Sequence, residues 1–125
     1  MTGKKHFMRD HTKLRAFQLA DEVAILIYKS TQNFPKEEIY GLTSQIRRAA
    51  VSVASNIVEG CTRESQAEYL RYLEIAYGSL KELDYQWSLA SRLGYLNESS
   101  LEHHSIIEEA KKVLYSLIKS VHLSK

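Results

Sequence analysis

Apolar residues recur at steps of three and four along four separate stretches of the chain, with polar residues filling the faces between them. That period belongs to amphipathic helices, and the strict alternation of a half-buried strand is absent. The first stretch predicts a helix over residues 12–31. Leu14, Phe17, Ala20, Ala24 and Ile27 make one stripe; Leu19, Val23 and Leu26 make a second, widened by Ile25 and Tyr28. A helix that buries one side needs a stripe of roughly 100°. This broader surface predicts deep burial or contact with another subunit. Phe34, before Pro35, is pushed toward an extended conformation. Pro35 followed by Lys36, Glu37 and Glu38 predicts a new first turn, with carboxylates near the positive helix end. Gly41 is the candidate separator between that turn and the main second helix.

The second helix carries Leu42, Ile46, Ala49, Val53 and Ile57 on one side and is expected to end at Gly60 as a left-handed C-terminal residue. Ser65 and Glu68 form a capping box for a third helix reaching about residue 93, with Tyr69, Leu73, Ala76, Leu80, Leu83, Trp87 and Ala90 inside. Gly78 lies in mid-helix, where glycine costs about 1 kcal/mol relative to alanine. Close approach by a neighbouring backbone is the expected compensation. Gly94 predicts a Schellman-type stop, with Tyr95 or Leu96 folding back. Residues 97–100 read as a turn, and Ser99 with Glu102 as the capping box of a fourth helix to about residue 121, with Ile107, Ala110, Leu114, Leu117 and Val121 as its seam. Four such helices with short connections predict an all-α, antiparallel up-down four-helix bundle over residues 13–123, preceded by a flexible basic tail at 1–12.

Composition narrows the class further. A chain of 125 residues is one domain, able to bury roughly two-thirds of its unfolded surface. The single cysteine, Cys61, excludes an internal disulfide and fits a reducing compartment. No apolar run approaches the ~20 residues that span a bilayer, and no apolar segment follows the N-terminal lysines as in a secretory signal. A cytoplasmic protein without membrane contact is expected. The net charge of +2 is uneven. Residues 1–15 hold Lys4, Lys5, Arg9, Lys13 and Arg15 against Asp10, which leaves 12 basic and 14 acidic residues for the rest. Nucleic-acid affinity therefore requires a local patch, the tail, or a patch repeated by oligomerisation.

Beside the core stripe of the second helix runs a polar line of Gln45, Arg48, Ser52, Asn56, Glu59 and Arg63. It reads either as a ligand surface or as a hydrogen-bonded seam with Ser79 and Glu82 of the third helix. The seam is preferred, because buried polar groups need partners and the adjacent residues are core. Glu59 and Arg63 are spaced as an i, i+4 pair. Arg47 and Arg48 point about 100° apart on a helix, so one can join the seam while the other faces solvent. With Lys36 or Arg63, and repeated around a ring, they are candidate phosphate contacts. Lys111 and Lys112 are weaker candidates, with Glu108 and Glu109 close enough to neutralise them. His103 and His104 with Glu108 suggest a metal, but a surface histidine pair is the simpler reading, and no metal or cofactor is expected. Arg63 near Cys61 could lower the thiol pKa; a buried thiol is the default. The eight tyrosines suit subunit contacts better than base stacking. No nucleophile–base set, phosphate loop or zinc motif is present, so no catalytic residue and no enzymatic activity are expected.

The ordered set Phe34-Pro35, Glu38, Gly41-Leu42, Gln45, Arg48-Ala49, Ser52, Ser55-Asn56-Ile57, Glu59-Gly60, Arg63, Ala76-Tyr77-Gly78-Ser79-Leu80, Glu82-Leu83 and Leu93-Gly94-Tyr95-Leu96 resembles the four-helix-bundle proteins encoded in intervening sequences of 23S ribosomal RNA genes. Ala54 departs from the proline common there, which implies only a straighter helix. That family is similar to the accessory-variability proteins of diversity-generating retroelements. The resemblance implies a homo-oligomer, a pentamer, with RNA or DNA and a reverse transcriptase or another protein as partners. The function expected is non-enzymatic binding of structured RNA through basic residues multiplied by symmetry; the alternative is a protein scaffold or adaptor without nucleic-acid contact.

Overall fold

The computed structural model describes residues 9–124. The first apolar stretch forms α1 (Arg15–Ser30), between 3₁₀ turns at His11–Lys13 and Thr31–Asn33. The helix expected over 12–31 is thus shorter, because Leu14 is extended (φ −84°, ψ 125°). Asp10 closes the preceding turn by accepting from the Thr12 amide (3.0 Å) and hydroxyl (2.6 Å). Arg9 lies on the bundle: its guanidinium is 3.8 Å from the centre of the Tyr69 ring and donates to the Arg63 carbonyl at 2.9 Å. Arg9 to Thr12, read from the sequence as flexible tail, are therefore docked. The remainder of that tail, Lys4 and Lys5 included, lies outside the described residues.

A 3₁₀ turn, Lys36–Glu38, leads into α2 (Leu42–Cys61), which runs unbroken through Ala54. Gly60 lies inside α2, not in a left-handed terminal position. A Cβ there would lie 2.9 Å from Tyr72 Cβ, so this glycine serves the close approach of α2 to α3 (Gln66–Arg92). Ser65 caps α3 by accepting from the Glu68 amide at 3.1 Å. Gly78 does not mark a close approach, since a Cβ there would meet nothing within 4 Å. Gly94, at φ +77°, ends α3 as expected: Tyr95 N donates to Ala90 O (2.9 Å) and Gly94 N to Ser91 O (3.0 Å), the two bonds of a Schellman cap.

The fourth helix is divided. Asn97, rather than Ser99, is the cap, accepting from the Ser100 amide at 2.8 Å. A one-turn α4 (Glu98–Glu102) follows, and α5 (Ser105–Leu123) starts after a tightened turn at His103 and His104. The offset lays the His104 ring nearly parallel to Trp87 of α3, with centroids 6.2 Å apart and planes at 17°.

Each long helix packs on its sequence neighbour, and α5 closes on α1. The cross-links run in opposite chain directions: Ser52 meets Ser79 and Arg63 meets Tyr72 between α2 and α3, while Trp87 meets His104 and Tyr77 meets Tyr115 between α3 and α5. This is an antiparallel up-down bundle. Leu19, Ile27, Ile46, Ile57, Leu73, Leu80, Leu83, Ile107 and Leu114 are fully buried at its centre. No helix among the described residues is long and apolar enough to cross a membrane.

Candidate functional site

The polar flank of α2 divides into two parts. Ser52 Oγ lies 2.9 Å from Ser79 Oγ, and Asn56 Nδ2 donates both to the Ser52 carbonyl (2.8 Å) and to its hydroxyl (3.0 Å). One turn further, Arg63 pairs with Glu59, donates to the Tyr72 hydroxyl at 3.0 Å, and sits 4.9 Å above that ring. These residues join α2 to α3. Gln45 and Arg48 are instead exposed, and so is Glu82, which accepts from Gln86 of its own helix at 3.4 Å. Gln86 is buried, and its Oε1 has no donor among the described residues.

The six basic candidates do not converge. Arg47 is occupied at the end of α1: its Nε donates to Thr31 Oγ1 at 2.7 Å, a terminal nitrogen reaches the Tyr28 carbonyl at 3.4 Å, and its guanidinium covers the Tyr28 ring at 4.7 Å. A cation at a helix C-terminus also meets the negative end of its dipole. Arg63 is held as described. Lys111 donates to Asp84 at 2.7 Å and pairs with Glu108 at 3.1 Å. The hydrogen bond to Asp84, ahead of the Glu108 contact, raises the Lys111 pKa above its ordinary 10.5. Lys36, Arg48 and Lys112 are exposed and form no ion pair among the described residues. Lys36 precedes α2 and Arg48 lies on it, whereas Lys112 lies on α5, which packs on α1 and α3.

Asp84 joins the histidine cluster in a way that the sequence, with Asp84 and His104 20 positions apart, did not reveal. Asp84, His104 and Glu108 bring potential ligand atoms within 4.8 Å of one another. His104 Nε2 is 3.6 Å from Asp84 and 3.7 Å from Glu108, whereas the His103 ring turns to the Ser99 carbonyl at 2.7 Å. The Lys111 ammonium already bridges both carboxylates, so it supplies the positive charge that a metal would bring. Cys61 is buried, and burial pushes its thiol pKa up despite nearby Arg9, opposite to the lowering that Arg63 suggested.

Glu38 accepts from the Leu42 amide (3.0 Å) and from the Tyr95 hydroxyl (3.0 Å), tying the start of α2 to the end of α3. Immediately after it, Ile39 and Tyr40 project into solvent at 56% and 95% exposure. Ile25 and Tyr28 are also exposed, on α1, the helix whose stripe is broader than one packed side needs. A search of curated proteins returned no match. A family model described as 23S rRNA-intervening sequence protein matches residues 12–116. With that match spanning most of the bundle, the chain belongs to the 23S rRNA-intervening sequence protein family.

Proposed function

We propose that this protein is a cytoplasmic, non-enzymatic homo-oligomer, a pentameric ring in line with the family resemblance, that binds structured RNA through basic side chains repeated by symmetry. The observation that carries the reading is the exposed apolar surface at Ile25, Tyr28, Ile39 and Tyr40. Apolar side chains left in water beside an otherwise closed core favour association. Assembly then places copies of Lys36, Arg48 and Lys112 around one particle, and several weak phosphate contacts act together.

Light scattering at micromolar protein gives the first test: a stable single protomer removes the basis of the proposal. Binding of a structured RNA at about 50 and about 200 mM salt gives the second, because phosphate recognition weakens steeply over that range. Oligomers that bind no RNA at the lower salt support the alternative, a protein scaffold built on the same exposed surfaces.

A further inference from the structure

We propose that the cleft between α3 and α5 takes one unpaired nucleotide, with its base against Tyr115 and its phosphates on Lys81 and Lys112. This rests on the RNA reading above and specifies where an unpaired loop would be held. Tyr77, Lys81, Glu108, Lys111, Lys112 and Tyr115 line a concavity of about 280 Å³. That is just below the ~300–1,000 Å³ of pockets for drug-sized ligands, a size suited to a single nucleotide unit.

The two tyrosine rings lie 6.0 Å apart at 45°, with Tyr77 half-buried and Tyr115 51% exposed. Tyr77 thus backs Tyr115, and about half of the surface of the Tyr115 residue remains exposed. Lys119 stands 5.9 Å from the centre of the same ring. The charge balance favours an anion. Lys111 is taken up by Asp84 and Glu108, whereas Lys81 and Lys112 are exposed without an ion pair among the described residues. Aromatic faces beside free lysines match a base joined to a phosphate. A duplex hides its base faces, so the occupant is single-stranded, and unpaired loops are where proteins reach RNA bases.

The test uses the full chain and a fluorescein-labelled, uridine-rich single-stranded RNA, with the corresponding duplex as comparison, read by anisotropy. Tyr115→Ala weakens single-strand binding at least about fivefold, the lower end of base-stacking contributions, and leaves duplex binding within twofold. Tyr115→Phe binds as the wild type does. Lys81→Gln with Lys112→Gln weakens binding and flattens its salt dependence. Matching thermal melts and oligomeric masses confirm that the variants fold alike. If Tyr115→Ala binds the single strand as tightly as wild type, and wild-type binding remains salt-sensitive, this cleft is overturned and the broader RNA reading stands. If wild type binds no RNA at low salt, both fall. If polyglutamate displaces the RNA equally well from wild type and Tyr115→Ala, the cleft is an acidic-protein surface and the nucleotide assignment is overturned.

Discussion

Asn56 shows how one half-buried polar side chain can join two helices. Its amide satisfies the Ser52 carbonyl and hydroxyl, and that hydroxyl meets Ser79 across the seam. Asn56→Ala should lower unfolding free energy by about 1 kcal/mol or more, measured by urea denaturation; an unchanged midpoint would mean that the line is only a solvated face. Glu38 carries a pH signature. Its bond from the Leu42 amide, then that from Tyr95, holds its pKa below the ordinary 4.5. Because the folded value lies below the unfolded one, the carboxylate stabilises the fold above about pH 4.5, and this contribution fades as pH falls through the folded value. The melting-temperature gap between wild type and Glu38→Gln should therefore narrow on acidification, and a gap that widens would contradict the assignment. Gly41 belongs to the same device, since a Cβ there would lie 2.7 Å from the Glu38 carboxylate.

Helices α2 and α3 use glycine in opposite ways. At Gly60 a methyl group would collide with Tyr72, and at Gly78 it would meet open space on a helix surface. Gly60→Ala should lose about 1–3 kcal/mol by overpacking. Gly78→Ala should gain about 1 kcal/mol, the ordinary helix-propensity difference. Denaturation of the two variants in parallel checks the contrast, and a destabilised Gly78→Ala would locate a packing partner outside the chain. Both glycines lie in helical stretches of the sequence, where spacing cannot tell the two situations apart. The difference is made by the line along which α3 docks on α2. The packing of α2 on α1 likewise separates Arg47 from Arg48. Adjacent in sequence, one finds the end of α1 and the other faces water.

For the whole molecule, the central question is whether the bundle is complete as one chain. Its core is closed, with α5 returning to α1, yet Ile39 and Tyr40 extend into solvent at one end. Replacing both by serine removes apolar surface without touching the core. The expected result is a lower oligomeric mass by light scattering with helicity unchanged by circular dichroism; an intact oligomer would place the subunit contact elsewhere. Loss of RNA affinity in the same variant would tie binding to assembly, because separate weak phosphate contacts lose their shared particle.

The bundle itself was legible in the residues. Stripes at three- and four-residue steps, the Ser65 cap and the Gly94 stop are local features, and each depends on residues within a turn or two. The division of the last helix is not legible in the spacing, because Asn97 and Ser99 both offer capping oxygens, and the break at His103 and His104 accompanies the contact of His104 with Trp87 of another helix. Which polar residue is occupied was decided by tertiary structure alone: Ser52 with Ser79, Arg47 with Thr31, and Lys111 with Asp84 are 16 to 27 residues apart. Helical period reports which face a side chain occupies, whereas its partner depends on the register and rotation at which two helices meet.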